Sequence, residues 1–176
     1  MTSIGIVQDD DPQLREIARP FELPREAKDV RRLVAQLQSM MDRVAALHAF
    51  SKGMGLAAPQ IGIDRAVAII RAAKGETITL LNPRVIEEST ETDAQYEGCL
   101  SFFDVRGMVP RPLTLHVEHQ DTLGQRHITA FGNDLARLVA HEIDHLDGKL
   151  YTDRMDTDAE PIPVSEYQGG GQPWRY

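Results

Sequence analysis

The sequence predicts an α+β fold in one domain spanning residues 1–176, with antiparallel or mixed β-sheets packed around a buried helix near the C-terminal end. Three observations carry this. An amphipathic stretch opens the chain, short β-rich runs fill its middle, and a second helical stretch with apolar residues on several sides follows them. Helix, then strands, then helix is the order of a segregated α+β fold rather than of alternating βαβ units. At 176 residues the chain can bury one core without staples.

From Arg25 to about Phe50, the apolar residues Val30, Leu33, Val34, Leu37, Met40, Met41, Val44 and Leu47 recur at three- and four-residue steps, the period of an amphipathic helix. The stretch GMGLAAPQIG, Gly53 to Gly62, imitates a dinucleotide fingerprint, but a helix precedes it and Pro59 blocks an ordinary helix start. It reads instead as a loop of small residues whose bare backbone faces a ligand, with Gln60 supplying an amide; taken alone, a Gly-Ala turn between helix and strand fits as well. The runs AVAII, TITLL, TLHVEH and HITAF, set off by Lys74-Gly75, Asn82-Pro83 and Leu123-Gly124, read as strands with turns between them. The last helix is expected from Asn133, as N-cap, to Asp147, with Gly148 in the C-cap glycine position. Leu135, Leu138, Val139, Ala140, Ile143 and Leu146 surround it on more than one side, so it is expected in the middle of the domain. Residues 156–176, rich in Pro and Gly, are expected as an irregular tail of strand or loop rather than helix, with Trp174 packing it down.

Composition narrows the function classes. Apolar residues at 41% and charged residues at 26% are ordinary for a globular protein. The N-terminus, MTSIGIVQDDD, has neither the basic region nor the apolar run of a signal peptide or membrane span, and a single cysteine suits a reducing compartment, so a cytoplasmic location is expected. A net charge of -8 argues against dedicated nucleic-acid binding.

The chemistry concentrates in HEIDHLDG, His141 to Gly148. Four-residue spacing on a helix aims His141 and His145 at one ion, and Glu142 beside them suits a general base acting on water. An H-E-x-x-H match by accident has a probability on the order of one per cent. Buried imidazoles also cost free energy unless liganded or paired. A third ligand is then required. A metzincin would carry histidine at the position of Tyr151, so that option fails. Glu160 and Glu166 would need a helix that Pro161, Pro163 and three glycines oppose. Cys99, in YEGCLS, offers a soft thiolate, and Gly98 beside it permits the close backbone approach that a ligand or peptide site needs. A lone cysteine is otherwise an inert buried thiol. His48, His116, His119 and His127 read as surface or core histidines, and Asp144, turned away from the His141–His145 face, as a partner for an arginine.

Taken together, GMGLAAPQ, EGCLS and HEIDHLDG, in this order, resemble the three signature motifs of the peptide deformylases. The resemblance runs from IVQDDDPQLREIA to LYTDRM and leaves only the tail outside. It implies a mixed α+β fold with the H-E-x-x-H helix at its centre, and hydrolysis of the N-formyl group from the initiator methionine of nascent polypeptides. It implies one divalent ion per chain, Fe(II) before Zn, Ni or Co, held by Cys99, His141 and His145, with Glu142 as proton carrier. It further implies that the Gln60 amide and the Leu100 backbone N–H stabilise the formyl oxygen, and that Met54, Gly55 and Gly98 lie along an extended substrate. Arg106 falls where the family carries an arginine after the cysteine motif, although a surface ion pair would explain it equally. Phe102-Phe103 depart from the small aliphatic residue and proline that many members carry, which leaves substrate reach beyond methionine open. The tail lacks the basic helix some members dock on the ribosome, so any ribosome contact is expected to be transient. Two competing readings are a zinc-type aminopeptidase or protease, and a non-enzymatic peptide-binding module with a structural metal.

Overall fold

The computed structural model describes residues 1–48, 50, 52–73 and 76–168. The expected Lys74-Gly75 turn and the packing of Trp174 lie outside the described residues. In chain order the elements are α1 (Ala27–Leu47), β1 (Gly53–Ala57), β2 (Val67–Ala72), β3 (Thr77–Glu88), β4 (Thr92–Cys99), β5 (Phe102–Pro112), β6 (Thr114–Gln120), β7 (Arg126–Gly132), α2 (Asn133–Leu146), β8 (Ile162–Pro163) and α3 (Val164–Gln168). One sheet has the order β1-β2-β3-β6-β7 and the other β4-β5-β8. The described pairings are all antiparallel, which removes the mixed-sheet option.

The five-stranded sheet is covered on both faces. Val67 and Ile69 pack with Leu37, Met41 and Val44 of α1, while Ala68 and Ile70 pack with Val139 and Ile143 of α2. Burial on both sides explains why AVAII shows no polar alternation. Fully burying each of these valine, leucine, isoleucine and methionine side chains contributes about 1.5–3 kcal/mol, which is why these two apolar clusters fix where the helices lie. In α2 every residue from Val139 to Leu146 is buried, as expected of a helix in the domain's middle.

Both ends of α2 are set locally. Gly132, not Asn133, occupies the N-cap, and no side chain among the described residues caps the helix. Asn133 instead takes φ 54, a left-handed value that asparagine tolerates. At the other end Gly148 has φ 70, and the N–H groups of Gly148 and Lys149 reach the carbonyls of His145 and Asp144 at 3.4 and 2.8 Å. This pair of bonds is a Schellman closure, as the glycine suggested.

Further expectations need correction. Gly53–Ala57 is a strand rather than a loop, with the turn only at Ala58–Ile61. Asn82-Pro83 does not end a strand: β3 runs through it with a register shift between Leu81 and Arg84, because Asn82 adopts φ 47 and proline is tolerated at a bulge. The strands β4 and β5 carry no apolar alternation and were not foreseen. The tail is not wholly irregular, since Pro163 ends a short strand and residues 164–168 form a helical turn despite the neighbouring prolines.

Candidate metal centre and active-site cleft

The two histidines of α2 stand one turn apart, with ring centroids 5.0 Å from each other. The end of β4 brings Cys99 to them. The ligand atoms of Cys99, His141 and His145 all lie within 4.8 Å of one another, and all three residues are buried. Cys99 Sγ is 3.2 Å from His145 Nε2. Burial opposes ionisation of the thiol, but His145 and His141 outweigh it and hold the Cys99 pKa well below its ordinary value. A thiolate between two imidazoles is a donor set for a borderline divalent ion such as iron or zinc, so the residues fit a metal. Glu160 and Glu166 are not part of this group, and Tyr151 stacks on His141 at 6.1 Å where a metzincin would place a ligand.

His141 is oriented by a residue the sequence did not flag. Glu97 Oε2 lies 3.0 Å from His141 Nδ1, so the carboxylate holds the Nδ1 proton and leaves the Nε2 lone pair for an ion. Alternation along a strand puts residues 97 and 99 on one face, and that spacing was the available signal. Glu97 also accepts two bonds from Arg111, at 2.9 and 3.0 Å, and one from Arg137 at 2.7 Å. Burial would raise its pKa, but the bonds with His141 and Arg111 overcome this and keep the carboxyl well below the usual carboxylate range. Arg111 reaches on to Asp144 at 2.5 Å, and Arg154 closes on the same Asp144 at 2.6 Å. Asp144 is therefore bound to arginines. Glu97→Ala should lower metal affinity about 10- to 100-fold, the usual effect of losing a carboxylate behind a ligating histidine. It should also cost about 3–5 kcal/mol of folding stability, because Arg111 loses its bidentate partner while buried. Metal titration and urea denaturation of the variant read the two effects separately.

Glu142 is 3% exposed, and its Oε2 is buried without a hydrogen-bond partner among the described residues. Burial pushes its pKa up to about 7. The space on the Cβ side of Gly55 is filled by this carboxyl, so a side chain at 55 would displace it. At Gly98 the same space is filled by the Arg106 guanidinium, which would lie 2.5 Å from a Cβ there. The two glycines thus admit Glu142 and Arg106 on that side. Arg106 is buried rather than paired at the surface, and its Nη1 donates to the carbonyls of Phe103 and Val105 at 3.0 and 2.6 Å.

Gln60 is 1% exposed and follows β1 in the 3-10 turn. Its Oε1 accepts from the Ala57 N–H at 2.9 Å, and its Nε2 donates to Cys99 Sγ at 3.4 Å and to Ser101 Oγ at 3.5 Å. Because a backbone N–H can only donate, the amide oxygen must face Ala57 and the NH₂ must face the centre. Gln60, Leu100, Cys99, His141 and Glu142 line one cleft of about 150 Å³, together with Met54, whose side chain also belongs to the apolar core under α1. Two edge strands, β1 and β4, form its walls. Lys52 Nζ and Gln95 Oε1 meet across the far end at 3.1 Å. His48, His116, His119 and His127 are not in the metal-ligand group.

The profile of the polypeptide deformylase family matches residues 4–160. A peptide deformylase of Heliobacterium modesticaldum is 40% identical over 159 residues, covering 90% of this chain and 97% of that protein. Peptide deformylase 2 of Nostoc sp. is 32% identical over 174 residues, covering 94% and 93%. Among solved structures, a class I type b peptide deformylase from Acinetobacter baumannii superposes with TM-score 0.76 at 31% identity, covering 85% of this chain and 97% of that one. With the Cys-His-His group, the glutamate beside it and the family match all on the same residues, this chain belongs to the peptide deformylase family.

Proposed function

We propose that Cys99, His141 and His145 hold one divalent ion, that Glu142 carries the proton, and that Gln60 and Leu100 stabilise the charge that develops during hydrolysis of the formyl amide. As a metal-dependent deformylase the protein removes the N-formyl group of nascent polypeptides. The observation that carries the division of labour is the buried Glu142 Oε2, without a hydrogen-bond partner among the described residues, in a cleft it shares with Cys99 and His141. A bound ion supplies Lewis-acid polarisation of the formyl oxygen and lowers the pKa of water.

The rest falls to the chain. Glu142 accepts a proton from the attacking water and returns it to the departing nitrogen, so that formate and a free amine leave. Negative charge grows on the formyl oxygen, and the Gln60 Nε2 with the Leu100 N–H are the donors assigned to it. The Ala57 bond fixes the Gln60 amide before substrate arrives, so little reorganisation is needed. The edges of β1 and β4 offer main-chain groups to an extended formylmethionyl peptide, along Met54 and Gly55 on one side and Gly98 on the other, with Arg106 behind Gly98.

Iron(II) is the ion we favour, with zinc, nickel or cobalt as substitutes. Since a ferrous thiolate oxidises readily, activity should fall in air. No helix among the described residues is long and apolar enough to cross a membrane. A cytoplasmic site of action and a transient encounter with the ribosome follow from a substrate that is still being synthesised.

Gln60→Ala should bind metal normally and lose about 10²- to 10³-fold in kcat, the usual effect of deleting one oxyanion donor. An unchanged kcat would leave Gln60 a purely structural residue. The reading as a whole is tested with formyl-Met-Ala, acetyl-Met-Ala and Met-Ala. Turnover of the first alone is expected, whereas cleavage of Met-Ala would favour the aminopeptidase reading.

A further inference from the structure

We infer that Tyr96 and Tyr167 form an aromatic wall that selects the substrate residue following formylmethionine, favouring a large apolar or aromatic side chain there. This rests on the deformylase reading and concerns the outer part of the same cleft. Along β4 successive side chains alternate between faces: Glu97 and Cys99 are buried toward α2, while Tyr96 and Gly98 lie on the other face. Tyr96 remains 41% exposed.

The second half of the wall comes from the C-terminal segment. Pairing of β8 with β5, Ile162 opposite Arg106 and Pro163 opposite Val105, anchors that segment on the strand that also pairs with β4. Helix α3 begins at the next residue and sets Tyr167 against Tyr96, with ring centroids 5.2 Å apart and planes at 66°. Tyr167 is itself 38% exposed, and both rings line the cleft that holds Glu142 and Cys99. Two rings that brace one another edge to face and still offer more than a third of their surface are suited to receive an apolar group.

The geometry of an extended peptide says which group it is. β4 is the outer strand of its sheet, and a peptide added along it sends consecutive side chains to opposite faces. With the methionine side chain directed toward α2, where Leu138 lines the floor, the next side chain turns to the face of Tyr96 and Tyr167. Tyr96 stands three residues along the strand from Cys99, about 10 Å at ~3.3 Å per residue, a span that matches a formyl group, a methionine and one residue more.

The test measures kcat and KM for formyl-Met-Phe-amide and formyl-Met-Gly-amide with the wild-type chain, Tyr167→Ala and Tyr167→Phe. The wild type should show a KM about tenfold lower for the phenylalanine peptide with similar kcat, the low end of what filling an apolar pocket contributes. Tyr167→Phe should keep that ratio, since the ring and not the hydroxyl makes the wall. Tyr167→Ala should bring the ratio near one by raising KM for the phenylalanine peptide. A wild-type ratio of one, or the wild-type ratio persisting in Tyr167→Ala, would overturn the inference while leaving the deformylase reading intact. Absence of formate from both peptides with the wild-type chain would overturn both.

Discussion

Replacing Glu142 by alanine should abolish most turnover while leaving the metal in place. Loss of a general base typically costs 10²- to 10⁴-fold, roughly 3 to 5 kcal/mol of barrier. Here one carboxylate both takes the proton from water and delivers it to the amine, so a fall of about 10⁴-fold or more is expected. Its position explains why metal should survive. Glu142 is next to His141 in sequence but about 100° around the helix from it, and the Cys-His-His group does not include it. Metal analysis of the variant should give about one ion per chain. If the ion is lost, Glu142 is a ligand or supports one; if full activity remains, the mechanism assigned to this site is wrong.

Cys99→Ala should remove the ion altogether, and the activity with it. Two histidines on one helix leave too few ligands for tight binding, and no carboxylate among the described residues joins them. The variant should still fold, because Cys99 adds only a small apolar surface beside Val109 and Tyr151. Retention of one equivalent after dialysis, with a native circular dichroism spectrum, would exclude the cysteine as a ligand.

How much of this was legible in the sequence differs by element, for physical reasons. The helix α1 and the strand β6 announced themselves because they bury apolar side chains at helical or strand periods, and β2 because its unbroken apolar run is buried on both faces. The strands β4 and β5 did not, because their buried positions include Glu97, Arg106 and Arg111 in place of aliphatic residues. Charge in the interior erased the hydrophobic period there. The same substitution hid part of the site: Glu97 was in view beside Gly98 and Cys99, yet its partners Arg111, Arg137 and His141 come from β5 and α2, far away in sequence. The glycines at 55 and 98 were visible as places of close approach, but only the tertiary structure says that Glu142 and Arg106 are what approaches. Tyr167 could not be connected to the cleft at all without the pairing of β8 on β5.

The central claim is that a single ion held by this chain drives hydrolysis of a formyl amide. It is tested by stripping the metal with a chelator under anaerobic conditions, adding Fe(II) back in steps, and measuring formate released from formyl-Met-Ala. The account predicts no release from the stripped protein and a linear rise that breaks at one ion per chain. Full formate release from the stripped protein, or none at any level of added Fe(II), would contradict it.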